Sequence, residues 1–123
     1  MFKILLIDRC YFTRTGLESW LNQTDFFPAS FLVTSLNNLI LAKEHIVQWQ
    51  PHLIIADLYG FKNDLHHIQQ LSSLFSACGK DNHLILLQSG EDAPLMEYCA
   101  QYEVQATLQK TVSMETLAKA IDH

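Results

Sequence analysis

Four places in this chain could do charge chemistry, and each one ends an apolar run: Asp8-Arg9 after Ile4 to Ile7, Asp57 after Leu53 to Ala56, Ser89 after Leu84 to Leu87, and Lys110 after Ala106 to Leu108. Carboxylates of this kind can hold a hard cation through their oxygens, or they can be satisfied by an ammonium or guanidinium group nearby. Asp8, Asp57, Arg9 and Lys110 sum to zero formal charge, so a cleft containing all four is expected to be filled by its own salt bridges. Ser89 is the residue most sensitive to register, because a shift of one position would put Gln88 in its place.

For these residues to meet, the runs that precede them must be neighbouring parallel strands. Leu53-Ile54-Ile55-Ala56 is continuously apolar rather than alternating, as expected of a strand covered by helices on both faces. The other runs, together with Phe31 to Val33, recur at fairly even spacing, separated by stretches of helical periodicity. Phe12, Gly16, Leu17, Trp20 and Leu21 predict one helix face, which Asp25-Phe26-Phe27-Pro28 interrupts. Leu39, Ala42, Ile46 and Trp49 predict a second helix stopped by Pro51, and Ile68, Leu71 and Phe75 a third, with Gly79 near its exit as a candidate positive-φ residue. Pro94 suits the first turn of a fourth, with Leu95, Cys99 and Tyr102 on one side, and Ser113 suits the N-cap of a fifth, with Met114, Leu117 and Ile121. Connections this long exclude hairpins and imply right-handed crossovers. The expectation is a (βα)5 doubly wound, flavodoxin-like domain over residues 1–123, with a parallel five-stranded sheet in the order 2-1-3-4-5. In such sheets ligands collect beyond the carboxyl ends of the strands, where Asp8, Asp57, Ser89 and Lys110 converge.

Composition narrows the partners. Thirteen acidic residues against eight basic ones give a net charge of -5, which opposes the phosphate attraction behind nonspecific nucleic-acid binding. DNA contact by this segment is therefore not expected. Three cysteines without a C-x-x-C pair suggest neither a disulfide framework nor a zinc site. No apolar run approaches membrane-spanning length, and the expected location is the cytoplasm. The adjacent His66 and His67 leave a helix on different faces, unlike paired metal ligands, and Trp20 and Trp49 are expected in the core.

With the strand ends in place, the chain resembles a response-regulator receiver domain of the LuxR/FixJ type, over essentially its whole length. In that family an acidic pair ends the first strand, a phosphoacceptor Asp the third, Ser or Thr the fourth and Lys the fifth; Asp57, Ser89 and Lys110 match the last three. The opening Asp8, Cys10, Thr13, Arg14, Gly16 and Leu17 further resembles the auxiliary LuxR-type regulators of enteric bacteria, such as the capsule-synthesis coactivator. The resemblance puts Asp8 in the first acidic place and Arg9 in the second, which in receivers ligates Mg²⁺. One ion pair at about 4 Å is worth roughly 4 kcal/mol at an effective dielectric near 20, so a guanidinium there weighs heavily against the metal. Leu58-Tyr59-Gly60-Phe61 lacks the family's usual Met-Pro, Thr111 stands where many members have Pro, and Thr107 stands where the family often carries the aromatic residue that swings inward on activation.

The expectation is therefore a pseudo-receiver. It would be a non-enzymatic regulatory domain without a cofactor, working as a homodimer or as a heterodimer with another LuxR-type regulator, with DNA reached only through a separate helix-turn-helix domain downstream. The resemblance offers two dimer surfaces: the first and last helices with the fifth strand, or the fourth helix with the fifth strand and last helix. The alternative is a genuine receiver phosphorylated on Asp57, with Mg²⁺ on Asp8 and Asp57 and the lost acid compensated by water or Glu91. A haloacid-dehalogenase-like phosphatase would want an Asp where Cys10 stands. A flavodoxin-like module would want a Ser/Thr/Gly-rich phosphate loop after the first strand, where the bulky, aromatic Asp8-Arg9-Cys10-Tyr11-Phe12-Thr13 stands.

Overall fold

The computed structural model describes residues 2–23, 27 and 30–122. Five strands alternate with five helices: β1 (Phe2–Ile7), α1 (Tyr11–Gln23), β2 (Phe31–Leu36), α2 (Leu39–Trp49), β3 (Leu53–Ala56), α3 (His67–Ala77), β4 (His83–Gln88), α4 (Ala93–Cys99), β5 (Ala106–Gln109) and α5 (Met114–Asp122). A single 3₁₀ turn, Tyr59–Phe61, follows β3. All pairings are parallel and the order is β2-β1-β3-β4-β5, the doubly wound arrangement expected from the apolar runs.

Period-two alternation divides the three central strands between two cores. Leu5, Ile7, Ile54, Ala56, Leu84 and Leu86 face one side, where α2, α3 and α4 supply Leu39, Ile46, Leu71, Leu74, Leu95 and Cys99. Ile4, Leu6, Leu53, Ile55, Ile85 and Leu87 face the other, closed by Leu17 and Leu21 of α1 and Leu117 of α5. Burial of one such Ile or Leu is worth about 1.5–3 kcal/mol by transfer alone, so the strand that carries Asp57 is fixed by both layers at once. Trp20 and Trp49 pack at the margins of these cores.

Helix ends follow from local chemistry. Asn38 accepts hydrogen bonds from the Ile40 and Leu41 amides at 2.9 and 3.0 Å, and Asp92 accepts one from Leu95 N at 3.0 Å with Pro94 in the first turn. Ser113 Oγ accepts from Thr116 N at 3.1 Å. At the far end of α2, Gln50 turns left-handed with φ 52° just before Pro51.

Several expectations of facing do not hold. Phe12 is 83% exposed, and Ile68 and Met114 are exposed as well. All three lie in the first turn of their helices, although Leu39 and Leu95, in the first turns of α2 and α4, are buried. Gly16 is exposed, and Tyr102 lies beyond the end of α4, stacked on Phe75 with ring centroids 4.0 Å apart. No glycine among the described residues has positive φ; α3 leaves through Cys78 in extended conformation, so Gly79 is not the exit residue imagined for it. The interruption read at 25–28 lies outside the described residues except for Phe27.

Candidate functional site

The register brings the strand ends together. Ile7 is paired with Ala56, so Asp8 and Asp57 leave adjacent strands side by side. Asp57 N donates to Ile7 O at 2.9 Å, and Lys110 N donates to Gln88 O at 2.8 Å. Asp8 and Asp57 are 4% and 2% exposed, and they are the buried charged residues of the described chain.

Two buried carboxylates need donors, and the sequence supplies them locally and across the sheet. Asp57 Oδ1 accepts from Tyr59 N at 3.0 Å and from Ser89 Oγ at 3.0 Å. Asp57 Oδ2 accepts from Lys110 Nζ at 2.9 Å. The same ammonium lies 3.2 Å from Asp8 Oδ1, which also accepts from Cys10 N at 2.7 Å. Asp8 Oδ2 has no donor aligned on it as a hydrogen bond, although Lys110 Nζ stands 2.9 Å away as its counter-charge. Burial works against the Lys110 ammonium, but its bonds to Asp57 and Asp8 prevail and hold its pKa above the usual lysine value. Lys110 thus clamps β1, β3 and β5 together through one nitrogen.

Arg9 does not join this cluster, so the four charges expected to cancel within one cleft are not gathered there. Its side chain is 51% exposed and pairs with Asp64 in the loop after β3, with the guanidinium 5.0 Å from the centroid of the Phe61 ring. The physical reason is access. Lys110 already supplies the cation between the carboxylates, while Phe61, fully buried, offers an aromatic face outside the cleft. The cleft therefore holds two carboxylates and one ammonium, a formal charge of -1. Arg14 reinforces the neighbouring turn by donating to the carbonyls of Asp8 and Arg9 at 2.7 and 3.0 Å.

The remaining candidates lie apart. Ser89, not Gln88, meets Asp57; Gln88 donates to Tyr59 Oη at 3.4 Å and accepts from Gln109 at 2.8 Å. Thr107 is exposed on β5 and lines a cavity beside α4. Glu91 is exposed in the loop before α4. Asp64 and Phe61 as partners of Arg9, and the Tyr59 amide as a donor to Asp57, were not anticipated; Asp64 carries no local signal, since it lies 55 residues from Arg9. Among the described residues no three His, Cys, Asp or Glu side chains gather as metal ligands would, and no helix is long and apolar enough to cross a membrane.

Residues 3–123 match the family model described as "Transcriptional regulator RcsA, N-terminal dimerisation domain". The chain belongs to this family. It is 47% identical over 123 residues to the transcriptional regulatory protein EntR of Citrobacter freundii, covering 98% of this chain and 60% of that protein; the chain thus spans a little over half of this relative's length. Among solved structures it is similar to the N-terminal domain of a response regulator/sensory box/GGDEF three-domain protein from Carboxydothermus hydrogenoformans, with TM-score 0.77, 16% identity, and 98% and 90% of the two chains covered. It is also similar to a LuxR-family DNA-binding response regulator from Staphylococcus aureus, with TM-score 0.69, 15% identity, and 99% and 97% covered. These likenesses establish the receiver fold for a member of the RcsA N-terminal family, in keeping with the resemblance of its opening residues to the auxiliary LuxR-type regulators.

Proposed function

We propose that this RcsA-family domain is a pseudo-receiver. It pairs with a second LuxR-type subunit, of its own kind or another, and its output does not depend on phosphorylation of Asp57 or on Mg²⁺. The observation that carries this reading is Arg9 at the second acidic place, its guanidinium paired with Asp64, which leaves Asp8 and Asp57 as the acids of the cleft. A divalent cation wants several oxygen ligands in near-octahedral order. Position 9 offers a guanidinium in place of an oxygen, and one oxygen each of Asp57 and Asp8 is 2.9 Å from Lys110 Nζ, so these residues fit the metal poorly. The domain would be a cytoplasmic binding module rather than an enzyme, and DNA would be met by a separate domain.

Intact mass after treatment with acetyl phosphate and Mg²⁺ tests the reading, with no phosphoryl adduct expected. Arg9→Asp, which restores a third carboxylate, should gain Mg²⁺ affinity measurable by calorimetry. Sedimentation with and without beryllofluoride should give the same concentration-dependent dimer. A stable wild-type adduct on Asp57, or dimers formed only with the mimic, would favour the second reading, a working phosphoacceptor. That reading draws on the contacts of Ser89 and Lys110 with Asp57, which leave the acceptor framed as a receiver would need it.

A further inference from the structure

We propose that the cavity between α4 and the β4–β5 edge is an effector site for a small, neutral, single-ring aromatic molecule carrying a hydrogen-bond acceptor. This inference goes beyond the pseudo-receiver reading and does not rest on how Asp57 is used. The cavity has a volume of about 230 Å³, and its existence follows from the sequence. On β5 the alternate positions that face α4 are Thr107 and Gln109, so no large apolar side chain projects from that strand. From the other side the seven-residue helix α4 and its cap present Cys99 and Ala100, both small. The space between them is left unfilled.

Its walls are mainly aliphatic, from Leu58, Leu86, Met96 and Val104. Burial pushes the Cys99 thiol up to about 11, so that wall stays uncharged at neutral pH. Engineered apolar cavities of about 150 Å³ take up benzene, and this one has room for a ring and a short substituent. Water would find few partners along such walls, and exchanging poorly held water for an apolar group favours binding.

The acceptor requirement comes from Tyr59. It is 8% exposed and lines the cavity. Its hydroxyl oxygen accepts a long 3.4 Å bond from Gln88, while its own proton is donated to no group among the described residues. Burial raises its pKa, which keeps that proton in place. Met96 and Thr107, both exposed, flank the way in. A pocket that is mostly apolar, with one or two placed polar groups, is the form that selects a small ligand.

Acetophenone and ethylbenzene, nearly equal in size and differing in a carbonyl oxygen, are the probes. Methyl NMR titration of the whole chain should show saturable shifts for Leu86, Met96, Val104 and Thr107 with acetophenone, with a dissociation constant of about 1 mM or tighter for a ligand of this size. Ethylbenzene should bind about fivefold more weakly, the worth of one hydrogen bond. Tyr59→Phe should remove that difference, and Ala100→Phe, which fills the space, should abolish both titrations. If Ala100→Phe fails to fold, the Tyr59→Phe comparison still decides. Absence of saturable shifts, shifts confined to the α1–α5 side, equal affinity for the two probes, or binding unchanged by Tyr59→Phe would each overturn the proposal.

Discussion

Replacing Lys110 by Met tests whether the cleft is held by one ammonium. Lys110 Nζ is 2.9 Å from an oxygen of each carboxylate, which places those two oxygens within about 6 Å of each other, a repulsion of roughly 3 kcal/mol at an effective dielectric near 20. The variant removes both attractions and leaves that repulsion inside the sheet. Breaking a buried pair by deleting one partner costs about 3–5 kcal/mol; because the Lys110 side chain is 21% exposed, water entering the gap discounts the loss to roughly 2–4 kcal/mol. Against a typical total of about 5–15 kcal/mol, that is a large shift in a urea midpoint at neutral pH. The cycle is completed by Asp57→Asn and by the double variant. Because Asn carries no charge to strand, Lys110→Met in the Asp57→Asn background should cost at least 1 kcal/mol less than in the wild type, a coupling well inside the range seen for contacting residues. A loss below about 1 kcal/mol for Lys110→Met alone, or strict additivity of the two single changes, would refute the claim that this nitrogen offsets both acids.

Other expectations follow from particular contacts. Asn38→Ala leaves the Ile40 and Leu41 amides without their cap and should cost about 0.5–2 kcal/mol in chemical denaturation. Gln50→Gly removes a side chain held at φ 52° and should raise the unfolding free energy read from urea denaturation by up to about 1 kcal/mol; a loss would show that the Gln50 side chain matters more than its backbone. The exposed Arg9–Asp64 pair should show a coupling of only about 0.2–1 kcal/mol in a double-mutant cycle. Stability should fall in alkali. Cys78 and Cys99 have folded pKa values of about 11, raised by burial from 9.0, and Lys110 is also raised. The folded state therefore keeps protons that the unfolded chain releases, so this stability is complete below about pH 9 and is lost as the pH climbs towards 11. A thermal midpoint unchanged between pH 8.5 and 11 would contradict that sign.

The apolar runs were enough to read the sheet because period-two burial on both faces leaves the central strands little else to be, and Asp8, Asp57, Ser89 and Lys110 fall at their ends by register alone. The helix faces were legible through most of each helix and misleading in the first turns of α1, α3 and α5. Leu17, Leu21, Leu71 and Leu117 are buried as their spacing implies, whereas Phe12, Ile68 and Met114, in the first turns of their helices, share that spacing and meet solvent. Periodicity reports which side of a helix faces inward, not how far along the helix that side stays covered. Arg9 shows the other limit. A residue next to a strand end can turn to either side, and what decided its direction was an acid 55 residues later and a ring in the turn after β3, neither marked by any local pattern.

That outward turn changes what the arginine does. Had Arg9 entered the cleft, it would have competed with Lys110 for two carboxylates already supplied with a cation. From outside it ties the β1–α1 turn to the loop after β3, across the mouth of the site, and its Cβ lies 3.5 Å from where a side chain on Gly60 would begin. The lone Cβ of an alanine fits there at ordinary contact distance, whereas a β-branched residue would have to displace the Arg9 stem. Gly60→Ala should therefore leave the Arg9–Asp64 coupling in place, and Gly60→Val should abolish it; Asp57 Oδ2 lies 4.0 Å from the same point, so the longer side chain also presses on the acceptor of Lys110 and should weaken the clamp, as the same two cycles would read. An Arg9–Asp64 coupling that survives Gly60→Val unchanged would mean that the pair does not depend on the space this glycine leaves beside the Arg9 stem.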